Sequence, residues 1–339
     1  MAQKKKVRLA DIAKELNIST VTVSKALSNK EGVGEDLRKK IADLAEEMGY
    51  KSTKSNSYGN GKITGNIGIL IPSRFFAPNF SYYWYIFNYL STELLHRNFY
   101  GIMELLSDSD EEKCTLPKML SDSKVDAVII LGQVSMDYIK SIEAATYKFI
   151  LLDFYTNDFN FDSVVNDDYY CSYILTSYVI SQGHKKLQFV GNFDATTSIR
   201  DRFMGFQKAM LENNLDSSPD KIINDRDSKG GHLDLKLPEK NDMPTAFICN
   251  CDLTAANLIA ELENRGYKVP EDISVTGFDN YLEPGKISVP LTTIYIKPED
   301  IASVAVDVVV KKVLGEPYLK GRHLVSGSMI IRDSVKKLN

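Results

Sequence analysis

VRLADIAKELNISTVTVSKALSN, Val7 to Asn29, decides how this chain is read. Leu9, Ile12, Ala13 and Leu16 recur at helical spacing and make one apolar stripe. Asn17-Ile18-Ser19 breaks the stripe, and serine is a good N-cap, so a second helix is predicted from Thr20 to about Leu27. Val23, Ala26 and Leu27 face inward on it, which leaves Thr20, Val21, Thr22, Ser24 and Lys25 outside. Two short helices joined by a three-residue turn, the second polar and cationic outside, form a helix-turn-helix. The short side chains at the start of such a helix reach base edges in a major groove. A small helical bundle with a merely solvated outer face is the plain alternative.

Outward from that stretch, Glu31 to Gly34 reads as a loop and a third helix is predicted from about Glu35 to Met48. Leu37, Ile41, Leu44, Ala45 and Met48 share one face of it, Glu35 and Asp36 suit its first turn, and Gly49 is placed to end it. Residues 51–66, KSTKSNSYGNGKITGN, have the composition of a linker, with almost nothing to bury. Residues 1–62 hold 13 Lys and Arg against 8 Asp and Glu, although the whole chain of 339 residues carries a net charge of −4. A basic first unit on an acidic body suits an anionic partner at one end only.

From Ile67 onward strands and helices alternate. Strands are predicted at Ile67–Ile71, Tyr100–Leu106, Ala127–Leu131, Phe149–Leu152, Ser163–Val165, Leu187–Val190, Ala246–Cys249 and Ser274–Thr276. Helices are predicted near Tyr82–Arg97, Tyr169–Gln182, Arg200–Asn213 and Thr254–Arg265. This rhythm belongs to an α/β body with parallel sheets covered on both faces, and the length suits two such sheets with a cleft between them. Ligands of open parallel sheets bind beyond the carboxyl ends of the strands. The residues there are polar: Ser73-Arg74, Asp153, Asn166-Asp167, Asn250 and Asp279-Asn280. Such groups pair with vicinal hydroxyls, and aromatic side chains pack on the apolar faces of a ring, so the cleft has the chemistry of a sugar-type pocket.

The pattern V-x-x-x-D-I-A-x-x-L-x-I-S-x-x-T-V-S-x-x-L-x-N, running unbroken from Val7 to Asn29, closely resembles the DNA-binding headpiece of the lactose/galactose repressor (LacI/GalR) family of bacterial transcription factors. The body is similar to the same family in Gly183-His184, in Ser198-x-Arg200-x-Arg202-x-x-Gly205-Phe206, in Asp272 to Asn280 and in Pro290 to Ile294. The resemblance implies a three-helix headpiece at residues 1–52, a linker or degenerate hinge at 53–66, and a periplasmic-binding-protein-like effector and dimerisation domain at 67–339. Within that domain it implies an N-terminal subdomain of about 67–165 and 296–323 and a C-terminal one of about 166–295 and 324–339. It further implies a homodimer on palindromic double-stranded operator DNA, with Thr20, Val21 and Lys25 at base edges and Ser19, Thr22, Ser24 and Asn29 at phosphates. The implied effector is a small polar molecule, a sugar or sugar derivative, held by Arg202, Asn250 and Asp279.

Ser73, Asp153 and Asn166 join those three from the strand ends, and Tyr82, Tyr83 and Trp84 are candidates to stack on the ring. The unusually aromatic stretch around them, Phe75 to Tyr89, reads otherwise as core or dimer interface. Cys251 stands where the family has an Asp, Lys25 where it more often has Arg or His, and Gly59 where its hinge helix carries a minor-groove leucine. Two hinge glycines weaken a helix by roughly 1 kcal/mol each, so residues 53–66 read as a tether.

An enzyme on the same scaffold, with Asp153 and Asp279 as acid and base, is the main rival. The sequence has no G-x-S-x-G, H-E-x-x-H, P-loop or G-x-G-x-x-G after a strand to support it. A solute-binding protein of a transport system is the other rival, and the DNA-reading helix argues against it. No metal or cofactor is expected, because Cys249 and Cys251 lack companions at zinc spacing. Without an export signal or a long apolar run, the expected location is the cytoplasm, with no membrane partner.

Overall fold

The computed structural model describes residues 7, 9–27, 32–48, 63–76, 81–146, 148–158, 160–216, 218, 222–228, 230–282 and 285–338. The expected hinge at 53–62, Asn29, Gly49 and residues 77–80, with Phe80 of the aromatic stretch, lie outside them. The chain divides into two compact units, residues 1–62 and 63–339.

The first unit is built from helices α1 (Leu9–Glu15), α2 (Thr20–Leu27) and α3 (Glu35–Glu47). Ile12, Ala13, Val23, Ala26, Ile41 and Ala45 form its core, ringed by Leu9, Leu16, Leu27, Leu37, Leu44 and Met48. Asn17 adopts a left-handed φ of 50°, which turns the chain between the first two helices. The Arg38 guanidinium reaches back from α3 to donate to the carbonyls of Ala26 and Val33, answering carbonyls at and beyond the α2 C-terminus.

The second unit holds two lobes. In the first lobe β1 (Asn66–Pro72), β2 (Tyr100–Leu106), β3 (Ala127–Leu131), β4 (Phe149–Leu152), β5 (Ser163–Asn166) and β10 (Arg322–Val325) form one sheet in the order β10-β5-β4-β3-β1-β2. Every pairing in it is parallel. Helices α4 (Tyr82–His96) and α11 (Pro298–Leu314) cover one face through a core that includes Ile69, Leu90, Ile129, Val306 and Val309. Helices α6 (Lys118–Ser121) and α7 (Met136–Ala145) cover the other face around Leu70, Val128, Tyr138 and Phe154. The short α5 (Asp108–Glu112) follows β2 at the carboxyl edge.

In the second lobe β6 (Leu187–Val190), β7 (Ala246–Cys249) and β8 (Ser274–Thr276) are parallel. Bridges at Ile223 and Thr292 widen this sheet by one position on each side. Helices α8 (Asp168–Ser181), α9 (Thr197–Glu212) and α10 (Asp252–Asn264) flank it. Helices α8 and α9 approach so closely that a Cβ at Gly205 would sit 2.2 Å from the Tyr169 carbonyl oxygen. The chain passes between lobes after β5, again between β9 (Thr293–Tyr295) and α11, and last between β10 and β11 (Ser328–Ile330). Strands β9 and β11 pair antiparallel beside Cys171, Phe278 and Ile296, so the crossings share a small apolar cluster. Short βα turns thus put the strand ends of both lobes on one cleft.

Candidate functional site

On the helix-turn-helix the outer face of α2 is set by its cap. The Ser19 hydroxyl accepts from the Thr22 amide at 3.0 Å and lies 2.8 Å from the Thr22 hydroxyl. Both oxygens therefore serve the helix start. Thr20, Val21 and Lys25 are exposed, Val21 at 61%, whereas Thr22 and Ser24 are half-buried.

In the body the strand ends enclose a cavity of about 270 Å³. Tyr82, Tyr83, Asp153, Arg202, Asn250 and Asp279, all expected at the site, line it. Ser73, Trp84 and Asn166 do not. Ser73 is exposed in a 3-10 turn after β1, and Asn166 lies buried behind Asp153, its side-chain amide 3.4 Å from that carboxylate. Trp84 corrects the stacking expectation. One position on from Tyr83 it has turned out of the cleft, 45% exposed, stacked on Phe87 and edge-on to Phe76.

Arg202, on α9, is the hub. Its Nε donates to Asp168 at 2.7 Å, one terminal nitrogen donates to the Asn250 carbonyl at 2.6 Å, and the other to Asp279 at 3.2 Å. The guanidinium carbon lies 3.8 Å from the centre of the Phe278 ring. Burial opposes its charge, but Asp168, Asp279 and Asp153 outweigh that and raise its pKa. The carboxylates share this one cation unequally. Burial pushes Asp153 up to about 6 and Asp168 up to about 7, and it raises Asp279 as well. Both Asp153 and Asp279 have left-handed backbone, with φ of 69° and 95°, a strain that positions them at the cleft.

Sequence reasoning missed a second cluster. Arg226 grips Asp225 through Nε at 3.0 Å and Nη2 at 2.7 Å, and Nη2 also reaches the Asn250 side-chain oxygen at 3.2 Å. Burial alone would raise Asp225; Arg226, Thr254 and Asn250 instead hold its carboxyl down at about 2. The side chain of Asn250 is spent inside the protein, donating to Asp225 and to the Val190 carbonyl. Cys251 caps α10 through its sulfur and lies 3.6 Å from Arg226. Asp252, pushed by burial up to about 7, accepts from the Thr293 hydroxyl and the Tyr281 amide. Tyr281 also crosses the cleft: its hydroxyl donates to the Ser81 carbonyl at 3.0 Å and its ring stacks on Tyr85. Two more bonds join the lobes, Thr197 amide to Gln133 at 2.7 Å and Tyr155 hydroxyl to Asp201 at 2.8 Å.

His184 takes no part in this chemistry. It is buried, with one ring nitrogen 2.9 Å from the Thr245 hydroxyl and the other 2.9 Å from the Lys336 carbonyl. A wider cavity of about 450 Å³ shares Arg74 and Phe75 with the first. Its arginine is already locked to Glu111, Asp108 and the Gln133 carbonyl.

Carboxyls with raised values have a consequence for stability. Each of Asp153, Asp168 and Asp252 contributes stability that is complete below the unfolded value, near pH 4, and lost as pH rises through about 6 to 7. Asp201 and Asp279 act in the same sense. His184 and His232, lowered chiefly by burial, act in the opposite one. Five carboxyls against two imidazoles give the body a higher melting temperature at about pH 5.5 than at about pH 7.5. Thermal unfolding followed across that interval checks the sign, and a profile that climbs instead would contradict the burial of these acids.

Known proteins place this arrangement. The description "Bacterial regulatory proteins, lacI family" fits residues 8–52, and "Periplasmic binding protein-like domain" fits 176–335. The chain belongs to the lacI family of bacterial regulatory proteins. As a lacI-family member it is a DNA-binding transcription regulator controlled by a small-molecule effector. It is 27% identical to the HTH-type transcriptional repressor PurR of Aliivibrio salmonicida (strain LFI1238), over 97% of this chain and 99% of the relative. The fold matches the lac repressor dimer bound to operator and the anti-inducer ONPF, at 19% identity and a TM-score of 0.71, covering 98% of this chain and 100% of the other. It also matches a CelR–cellobiose complex, at 16% identity and a TM-score of 0.67, covering 97% and 100%. The α/β body and its helical headpiece are therefore those of a lacI-family regulator. Among the described residues no helix is long and apolar enough to cross a membrane.

Proposed function

We propose that the protein is a repressor which binds a palindromic operator as a homodimer and is released or tightened by a hydroxyl-rich effector, a sugar or sugar derivative, in the Arg202 cavity. Residues 1–52 dock on DNA, 53–62 act as a tether, and the body senses the effector and dimerises, all in the cytoplasm. Thr64, Gly65 and Asn66, expected in the tether, are instead bound through their amides to Asp126 of the body. The observation that carries the reading is the cavity floor, where Asp153 and Asp279 offer carboxylate oxygens beside the rings of Tyr82 and Tyr83. Carboxylates accept from paired hydroxyls and aromatic faces cover the apolar side of a ring. The repressor name of the Aliivibrio relative and the cellobiose held by the CelR protein support the two halves of this reading. As a regulator the protein returns its effector unchanged.

On DNA, Thr20, Val21 and Lys25 meet base edges while Ser19, Thr22, Ser24 and Asn29 set register on phosphates. Selection from genomic fragments at low ionic strength should return sites that share one palindrome, two half-sites about one helical turn apart. Lys25→Ala should then lose about 1–3 kcal/mol of discrimination at a single base pair of each half-site. Equal weakening on operator and scrambled DNA would give Lys25 a phosphate instead, and fragments with no shared site would end the reading.

A further inference from the structure

We propose that the effector carries a protonated amine, which sits on the floor of the cavity between Asp153 and Asp279 and faces the rings of Tyr82 and Tyr83. The inference rests on the cavity being the effector site and deepens that assignment by naming the ligand's charge.

Hydrogen-bond supply and demand on the floor do not match. Arg202 has all three of its nitrogens engaged by the protein. Arg226, the other guanidinium on the wall, is held by Asp225 through two nitrogens. Acceptors, by contrast, are in surplus. Asp279 keeps its second oxygen without a partner among the described residues, and the other accepts from Arg202. Asp153 accepts one good bond, from the Tyr83 hydroxyl at 2.8 Å, and one long one, from Asn166 at 3.4 Å. The buried Tyr82 hydroxyl, which lines the cavity, has no partner among the described residues. A polar group buried in this way costs stability until a donor arrives.

Charge points the same way. Asp153, Asp168 and Asp279 crowd Arg202 while Arg226 is paired with Asp225, so around the floor carboxyls outnumber guanidiniums. A neutral polyol supplies donors and leaves that imbalance standing; an ammonium supplies three donors and a compensating charge. Aromatic residues favour the same ligand, since Phe75, Tyr82, Tyr83 and Tyr281 line the cavity and ring faces attract cations. A metal ion is not the cation meant, because no group of three or more ligating side chains in metal geometry occurs among the described residues.

The test uses the full chain and matched pairs: glucose with glucosamine, galactose with galactosamine, mannose with mannosamine, and ethylene glycol with ethanolamine as the minimal probe. Binding is read by calorimetry and thermal shift at constant ionic strength. The amine of at least one sugar pair should bind roughly tenfold or more tighter than its neutral twin, and ethanolamine should protect where ethylene glycol does not. Asp153→Asn, which keeps size and removes charge, should erase that preference by weakening the amine far more than its neutral twin. Asp279→Asn should do the same. Neutral sugars binding as well as their amines would overturn the inference and leave the effector reading standing. Silence of every amine, ethanolamine included, would overturn it too. Failure of the effector reading itself looks different: a metabolite that changes operator affinity would do so equally in Asp153→Asn and Asp279→Asn.

Discussion

Arg202→Met should destabilise the body by about 3–5 kcal/mol at neutral pH, seen as a lower urea midpoint with an unchanged slope. Three interactions end at once: the ion pairs to Asp168 and Asp279 and the bond to the Asn250 carbonyl. Methionine fills part of the volume against Phe278 but leaves Asp168, only 3% exposed, without its cation. Because that carboxyl already stands at about 7, it answers by taking up a proton. The loss should therefore shrink as pH falls towards about 5, a signature that a simple packing defect would not produce. Arg202→Lys should recover only part of it, since one ammonium cannot serve three partners held in a fork. A loss below about 1 kcal/mol at neutral pH would mean that the cluster is not the keystone of the second lobe.

Gly205→Ala should cost about 3 kcal/mol or more, the reverse of what a helix interior ordinarily rewards. Within a helix alanine is favoured over glycine by about 1 kcal/mol. At Gly205 the new methyl would meet the Tyr169 carbonyl oxygen at 2.2 Å and the Tyr173 amide nitrogen at 2.8 Å. Both are backbone, so no rotamer change relieves them, and α8 and α9 must move apart. Those helices carry Asp168 and Arg202, so the same change should weaken ligand binding. Chemical denaturation and calorimetry of the one variant measure both effects, and an unchanged or higher stability would show that the two helices are not fixed at this spacing.

The headpiece was legible because each of its helices is short and apolar on one side, so Ile12, Val23 and Ile41 announce the face they bury. Most of the cavity was legible for a different reason. Asp153, Asn250 and Asp279 follow strands directly, and parallel sheets put those positions on the cleft. Adjacency in sequence misled at Trp84, since neighbours on a helix point about 100° apart and only Tyr82 and Tyr83 turn inward. Arg226 gave no signal. It follows no named strand and belongs to no helix, and its meeting with Asp225 and Asn250 exists only once β6 and β7 are paired. Helix α11 was passed over because its run of valines has the local preference of a strand. Burial of Val306, Val308, Val309 and Val310 against the first sheet overrides that preference.

Tyr281 gives the cavity a door with its bolt on the opposite lobe. The ring is sandwiched against Tyr85 and Tyr82, and the phenol is fastened to the Ser81 carbonyl. The phenol's bond to Ser81 is one contact that must break before the lobes part at this edge. Parting the lobes at that edge therefore costs the protein a hydrogen bond and a ring stack before a guest can pass this way.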